Sequence, residues 1–258
     1  MLNNKKIVVV MPAYNAAPTL QSTYDEIPLD VVDEVILVDD CSSDDTIELA
    51  RSIGLTHIIR HDTNTGYGGN QKTCYKKAIE LGGDVIIMLH PDYQYTPKLI
   101  TSMASLITEG VFDCVLGSRI LGTGALNGGM PVYKFISNRL LTAFQNLVIN
   151  YKLSEYHTGY RAFSREILQT LPLDENANGF VFDNQMLAQI IYAKFSIGEI
   201  TCPTRYAAGS SSISFTNSVK YGIGVMKTSI LFFLNRHNLI TSPIFKNLGS
   251  RNKPVNGK

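Results

Sequence analysis

Three features predict an α/β fold with a mainly parallel sheet flanked by helices. Short segments rich in Val and Ile alternate with helix-patterned segments through the first half of the chain. Those short segments are near-continuous apolar runs, the pattern of strands buried on both faces. Each run is followed at its C-terminal end by acids, amides, glycines or an arginine, the edge where open parallel sheets collect ligands.

The strand candidates are "KIVVVM" (Lys6 to Met11), "EVILVD" (Glu34 to Asp39), "HIIRH" (His57 to His61), "DVIIML" (Asp84 to Leu89) and "DCVLGS" (Asp113 to Ser118). Helices are expected between them over Ala17 to Glu26, Asp44 to Ile53, Gly69 to Leu81 and Pro97 to Glu109. The last has Thr96 as cap and Pro97 at its first position, where proline's missing N–H costs nothing. Strand, helix, strand, repeated, implies right-handed crossovers. In the second half, Val132, Ile136, Leu140, Phe144 and Val148 recur every four residues on an amphipathic helix from Val132 to Ile149. Another helix begins within "FVFDNQML", Phe180 to Leu187.

The 258 residues, 45% hydrophobic, suffice for one sizeable core. One domain is expected over 1–240, in two halves that divide at about 120, and a polar, flexible tail over 241–258. Lys and Arg number 23 against 22 Asp and Glu, so a nucleic-acid partner is not expected. Cys41, Cys74, Cys114 and Cys202 form no Cys-x-x-Cys pair and fit reduced thiols in a cytosolic setting. The run "IVVVM" is too short for a signal peptide, and Tyr221 to Leu234, interrupted by Lys227, too short to cross a bilayer. Such a chain can still rest on a membrane.

The polar loops then read in order: "MPAYNA", "LVDDCSSDDT", "NTGYGGNQK", "HPDYQY", "GSR" and "HTGYRAF". This series resembles glycosyltransferase family 2, of GT-A fold, and within it the polyprenyl-phosphate sugar transferases, over roughly residues 5 to 235. The resemblance implies an inverting transferase that moves a sugar from a nucleotide sugar to a polyprenyl phosphate at a membrane surface, with a nucleotide-sugar (donor) half over about 1–120 and an acceptor half over about 121–240. Transfer to a soluble glycan hydroxyl, and noncatalytic nucleotide-sugar binding, are the competing readings.

A nucleotide sugar needs a slot for the base and countercharge for its diphosphate. "PAYN" and the acids after strand two can supply the slot. The resemblance assigns Pro12, Ala13 and Tyr14, with Asn15 beside them, to the nucleoside pocket, and Asp39 or Asp40 to the base or ribose; Ser42 to Asp44 could equally cap the next helix. The segment Gly66 to Lys72 could turn backbone amides and the Lys72 charge toward an anion, or simply form a tight turn.

The family's usual Asp-x-Asp, extended to Asp-x-Asp-x-Gln in the polyprenyl-phosphate branch, here reads His90, Pro91, Asp92, Tyr93, Gln94. Asp92 and Gln94 are hard oxygen ligands suited to Mg²⁺ or Mn²⁺. His90 could ligate the cation, hydrogen-bond the diphosphate or Asp92, or make structural bonds only. On the acceptor side the resemblance places Arg119 and Arg161 against a phosphate, with Thr158 and Gly159 shaping the loop, Arg205 as a further cation, and either Asp183 or Gln185 in the place of a general base. The amphipathic helix from Val132 could pack its apolar face on the core or lay it on a bilayer.

Overall fold

The computed structural model describes residues 1–204 and 215–249. Seven strands form one sheet in the order β3-β2-β1-β4-β6-β5-β7. They are β1 (Ile7–Ala13), β2 (Glu34–Asp39), β3 (His57–Arg60), β4 (Val85–Met88), β5 (Cys114–Ser118), β6 (Arg161–Ser164) and β7 (Ile197–Thr201). The five expected strands are all present. The strand β6 enters between β4 and β5 and runs antiparallel to both, while the other pairs are parallel.

The helices are α1 (Ala17–Asp25), α2 (Thr46–Ser52), α3 (Tyr67–Glu80), α4 (Ile100–Thr108), α5 (Gly124–Asn127), α6 (Val132–Ile149), α7 (Arg165–Thr170), α8 (Phe182–Tyr192) and α9 (Phe215–Arg236). Every residue of β1 is buried, as its unbroken apolar run demands. Ile7, Val9 and Met11 share one core with Leu20 of α1, Ile47 of α2 and Met103 of α4. Val8 and Val10 face the other core, with Tyr75 of α3, Phe182 and Met186 of α8 and Phe232 of α9. The sheet is thus covered on both sides, and its C-terminal edge is left for the loops.

One expectation changes, and one of two alternatives falls. The tail does not begin at 241: Ile244, Phe245 and Leu248 are buried, and Phe245 stacks on Tyr192 at 5.0 Å and meets Phe232 edge-on. Aromatic burial holds a segment that its polar neighbours had suggested was loose. Helix α6 spans Val132–Ile149 as expected, but it does not pack its apolar stripe on the core. Val132 is 63% exposed, Leu140 67% and Leu147 81%, while Asn138, Thr142 and Gln145 point inward. The inward face is polar because it serves a buried acid, Glu155, whose Oε1 accepts a hydrogen bond from Asn138 Nδ2 at 2.8 Å. Helix α9, packed beside α6, also turns an apolar face outward, exposing Val219, Ile223, Met226, Ile230 and Phe233, while its inner face buries Val225 and Phe232 together with Thr228 and Ser229. Among the described residues no helix is long and apolar enough to cross a membrane.

Candidate active site

The ends of β1 and β2 are pinned by one amide. Asn70 Nδ2, in the first turn of α3, donates to the carbonyls of Ala13 and Val38. Pro12 and Ala13 are buried beneath this edge, whereas Tyr14 is 58% exposed and Asn15 lies in the left-handed region beside it. Asn15 Oδ1 accepts the Ser43 N–H at 2.9 Å, so the loops after β1 and β2 are joined. Asp39, fully buried, accepts the Ser42 amide and hydroxyl and lies 3.8 Å from Arg60 Nε. Asp40 accepts N–H groups from Thr65 and Gly66 and pairs with His61 Nδ1 at 2.8 Å. Burial would raise the Asp40 pKa, but the bonds from His61, Thr65 and Gly66 outweigh it and hold the carboxyl below its ordinary value. Both acids thus order the loops after β2 and β3, and Tyr14 is a large side chain left open beside them.

The glycine-rich segment closes against the acceptor half. The amide of Gly66 is taken by Asp40, and those of Gly68 and Gly69 by the Asn178 carbonyl. A Cβ at Gly68 would lie 2.5 Å from the Ala177 carbonyl oxygen, so glycine is required there by close approach. Lys72 Nζ donates to the Asp174 and Asn176 carbonyls and to Asn178 Oδ1. Gln185 Oε1 accepts the Ala177 N–H. These amides, Lys72 and Gln185 fasten the segment 174–178 instead of lying open to an anion.

Beyond β4, the turn 90–94 carries the altered acidic motif. Asp92 Oδ1 accepts the Gln94 N–H at 3.0 Å, and Tyr93 adopts positive φ, which sends the chain sharply back. His90 Nε2 lies 3.0 Å from the Tyr67 hydroxyl, which donates to Asp183 Oδ2 at 2.6 Å. The other oxygen of Asp183 accepts from Gln71 Nε2 at 3.0 Å. Burial, then the nearby Asp183 charge, push the Tyr67 pKa well above its ordinary value, so its hydroxyl stays protonated. Among the described residues no three His, Cys, Asp or Glu side chains gather as a metal group. Asp92, Gln94 and His90 can supply part of a coordination shell, a fit for a cation that also takes diphosphate and water oxygens.

Two arginines organise the loops around β5 and β6, Arg119 half-buried and Arg161 buried. Arg119 donates from Nε to Glu155 Oε1 at 2.9 Å and from its backbone N–H to Oε2 at 2.8 Å, and Nη2 reaches both Glu155 and the His157 carbonyl. Glu155 is wholly buried; burial would raise its pKa, but the Arg119 charge and hydrogen bonds win and lower it. Arg161, 1% exposed, spends Nε, Nη1 and Nη2 on the carbonyls of Thr158, Asp183 and Tyr156. In place of a direct phosphate contact, it knits the 156–161 loop to the start of α8. Thr158 Oγ1 donates to the Gly117 carbonyl, and Gly159 lies so close to His90 that a Cβ would fall 2.6 Å from its Nε2. Arg205 lies outside the described residues.

The structure therefore brings His90, Gly159 and Asp183 around one hydroxyl, that of Tyr67, with Arg161 holding the Asp183 backbone beside them. Sequence reasoning missed Tyr67, Gln71 and Glu155. Glu155 did leave a signal: it is the first carboxylate after Asp113, closing an acid-free stretch that contains Arg119.

The family model described as glycosyl transferase family 2 matches residues 8–171. The chain belongs to this family. This glycosyltransferase is 27% identical over 219 residues to the UDP-N-acetylglucosamine–dolichyl-phosphate N-acetylglucosaminyltransferase of Methanococcus voltae, covering 79% of this chain and 87% of that enzyme. It is 21% identical to the polyprenol monophosphomannose synthase of Mycolicibacterium smegmatis, covering 83% of each. Among solved structures, the glucosyl-3-phosphoglycerate synthase of Mycobacterium tuberculosis bound to UDP has a TM-score of 0.69 at 21% identity, over 89% of this chain and 80% of that one. A second structure of that synthase, with Mn²⁺, UDP and phosphoglyceric acid, has a TM-score of 0.67. The fold of this glycosyltransferase is accordingly GT-A.

Proposed function

We propose that this glycosyltransferase transfers a sugar, with inversion, from a nucleotide sugar to a polyprenyl phosphate at a membrane surface. The observation that carries the choice of acceptor is the state of Asp183. It is 7% exposed, and both its oxygens are engaged, by Tyr67 and Gln71. A hydroxyl acceptor needs a base within hydrogen-bond reach, and this carboxylate is committed elsewhere. A phosphate monoester arrives already anionic. Its oxygen forms the new bond to the sugar's anomeric carbon as the bond to the nucleoside diphosphate breaks, and no proton has to move. The relatives named for dolichyl- and polyprenol-linked products support the same acceptor class.

Tyr14 and the ordered loops behind Asp39 and Asp40 would receive the nucleoside. Asp92 and Gln94, with His90, would hold a divalent cation, Mn²⁺ or Mg²⁺, whose chemistry is to neutralise the departing diphosphate. Arg119, Arg161, Thr158 and Gly159 would shape the acceptor side, the two arginines by fixing its loops.

The membrane contact is supported by the outward apolar faces of α6 and α9. No Asp or Glu occurs between Asp113 and Glu155 or after Glu199, and these two stretches hold 12 of the 23 Lys and Arg. Exposed apolar side chains in stretches that carry cations and no acids suit the headgroup region of an anionic bilayer, on the cytosolic side that four free thiols fit.

A thermal-shift panel of UDP-, GDP-, CDP- and dTDP-sugars with and without Mn²⁺ tests the donor side, since bound donor stabilises by mass action. One nucleotide should raise Tm, and Asp92→Ala should remove the Mn²⁺-dependent part. No response to any nucleotide sugar would contradict the reading.

A further inference from the structure

We propose that Tyr67 and Asp183 hold His90 as its Nε2–H tautomer, and thereby dedicate Nδ1 to a divalent cation in the place of the carboxylate this chain lacks. The inference rests on the transferase reading for the cation's purpose, and on the hydrogen-bond directions for everything else.

Those directions are set from the far end of a buried chain. The Tyr75 hydroxyl donates to Gln71 Oε1 at 2.8 Å, which turns the Gln71 amide nitrogen toward Asp183 Oδ1. Asp183 Oδ2 accepts from the Tyr67 hydroxyl at 2.6 Å. The single Tyr67 proton is then used, so its oxygen can only accept from His90 Nε2, which must carry the hydrogen. Arg161 Nη1 donates to the Asp183 backbone carbonyl at 2.6 Å, which brings the guanidinium charge near the buried carboxylate.

Packing keeps the ring in that orientation. The Tyr67 and His90 rings stack with centroids 5.4 Å apart, and Gly159 closes against the Nε2 edge. Nδ1 makes no hydrogen bond to any described residue. An imidazole fixed in this way offers one lone pair, two residues before Asp92. A neutral nitrogen in a site otherwise of oxygens shifts preference from Mg²⁺ toward Mn²⁺ and later metals. Tyr67 is thus a positioning residue, acting through His90. The carboxylate that could have been a base is instead the anchor of this chain.

The test is ¹⁵N NMR of the full-length protein labelled at histidine, with His90 assigned by loss of its signals in His90→Gln. The expected wild-type pattern is a protonated Nε2 and an unprotonated Nδ1, and Zn²⁺ alone, as a diamagnetic probe, should move Nδ1. In Tyr67→Phe the His90 signals should become a tautomer mixture, and Zn²⁺ affinity should fall by about tenfold to a hundredfold, the usual cost of losing an orienting partner. A protonated Nδ1 in the wild-type protein, Zn²⁺ that leaves Nδ1 unmoved, or an unchanged tautomer in Tyr67→Phe would each overturn the proposal. Nucleotide-sugar stabilisation, measured separately, reports on the transferase reading and does not depend on the tautomer.

Discussion

The two halves of the molecule use amphipathic helices in opposite ways. In the donor half, α4 buries Ile100, Met103, Ala104 and Ile107 under the sheet, as its pattern predicts. In the second half, α6 turns polar residues inward, α9 buries Thr228 and Ser229 beside Val225 and Phe232, and the two helices leave Leu140, Leu147, Ile223 and Ile230 outside. The difference teaches that periodicity identifies a helix and its two faces, but not which face meets the core. In α6 the choice follows from Glu155, a buried carboxylate that needs Asn138 and Arg119 as partners.

The largest effect expected from this contrast is at Arg119. Arg119→Met leaves Glu155 buried without its countercharge and should cost about 3–5 kcal/mol in urea unfolding. A cost below about 1 kcal/mol would mean the pair is not what organises the acceptor half. Next comes a matched pair of truncations. Met103→Ala in α4 should cost about 2–5 kcal/mol, whereas Leu140→Ala in α6 and Ile223→Ala in α9 should stay within about 0.5 kcal/mol while weakening flotation with anionic vesicles. Equal costs at Met103 and Leu140 would show that the outer face is packed in solution and would end the comparison.

A further effect is a pH dependence that arises at His157 in the second half. Burial lowers the His157 pKa from the ordinary 6.5 to about 4, and its Nδ1 lies 2.7 Å from the Tyr221 hydroxyl. As pH falls, the unfolded chain takes up this proton before the folded one, so the contribution of His157 is complete above pH 6.5 and is lost between 6.5 and about 4. Thermal scans of His157→Asn should be flatter than wild type across that window. Parallel curves would place the titration elsewhere.

The donor half was legible because its signals are local. Val and Ile runs gave the five strands, and the order of loops gave the family. The polar residues at the strand ends were also found, but their partners were not. Asp40 reaches Thr65 and Gly66, Lys72 reaches Asn178, and Asp183 reaches Tyr67, contacts that span from 25 to 116 residues and leave no periodic trace. For the same reason Arg161 read as a phosphate ligand. Its guanidinium is in fact filled by three carbonyls that only the fold assembles. The strand β6 was hidden because a four-residue segment within a motif rich in Gly and Thr carries too few alternations to show its period.

The central claim is that the acceptor is a lipid phosphate and needs no base. The most direct measurement is transfer from the stabilising nucleotide sugar to a short-chain polyprenyl phosphate in detergent, comparing wild type with Asp92→Ala and with the corresponding polyprenol as acceptor. The account predicts a glycosyl phospholipid from the phosphate alone, at least about a hundredfold less of it with Asp92→Ala, and nothing from the polyprenol. Transfer to the hydroxyl at a comparable rate would contradict it.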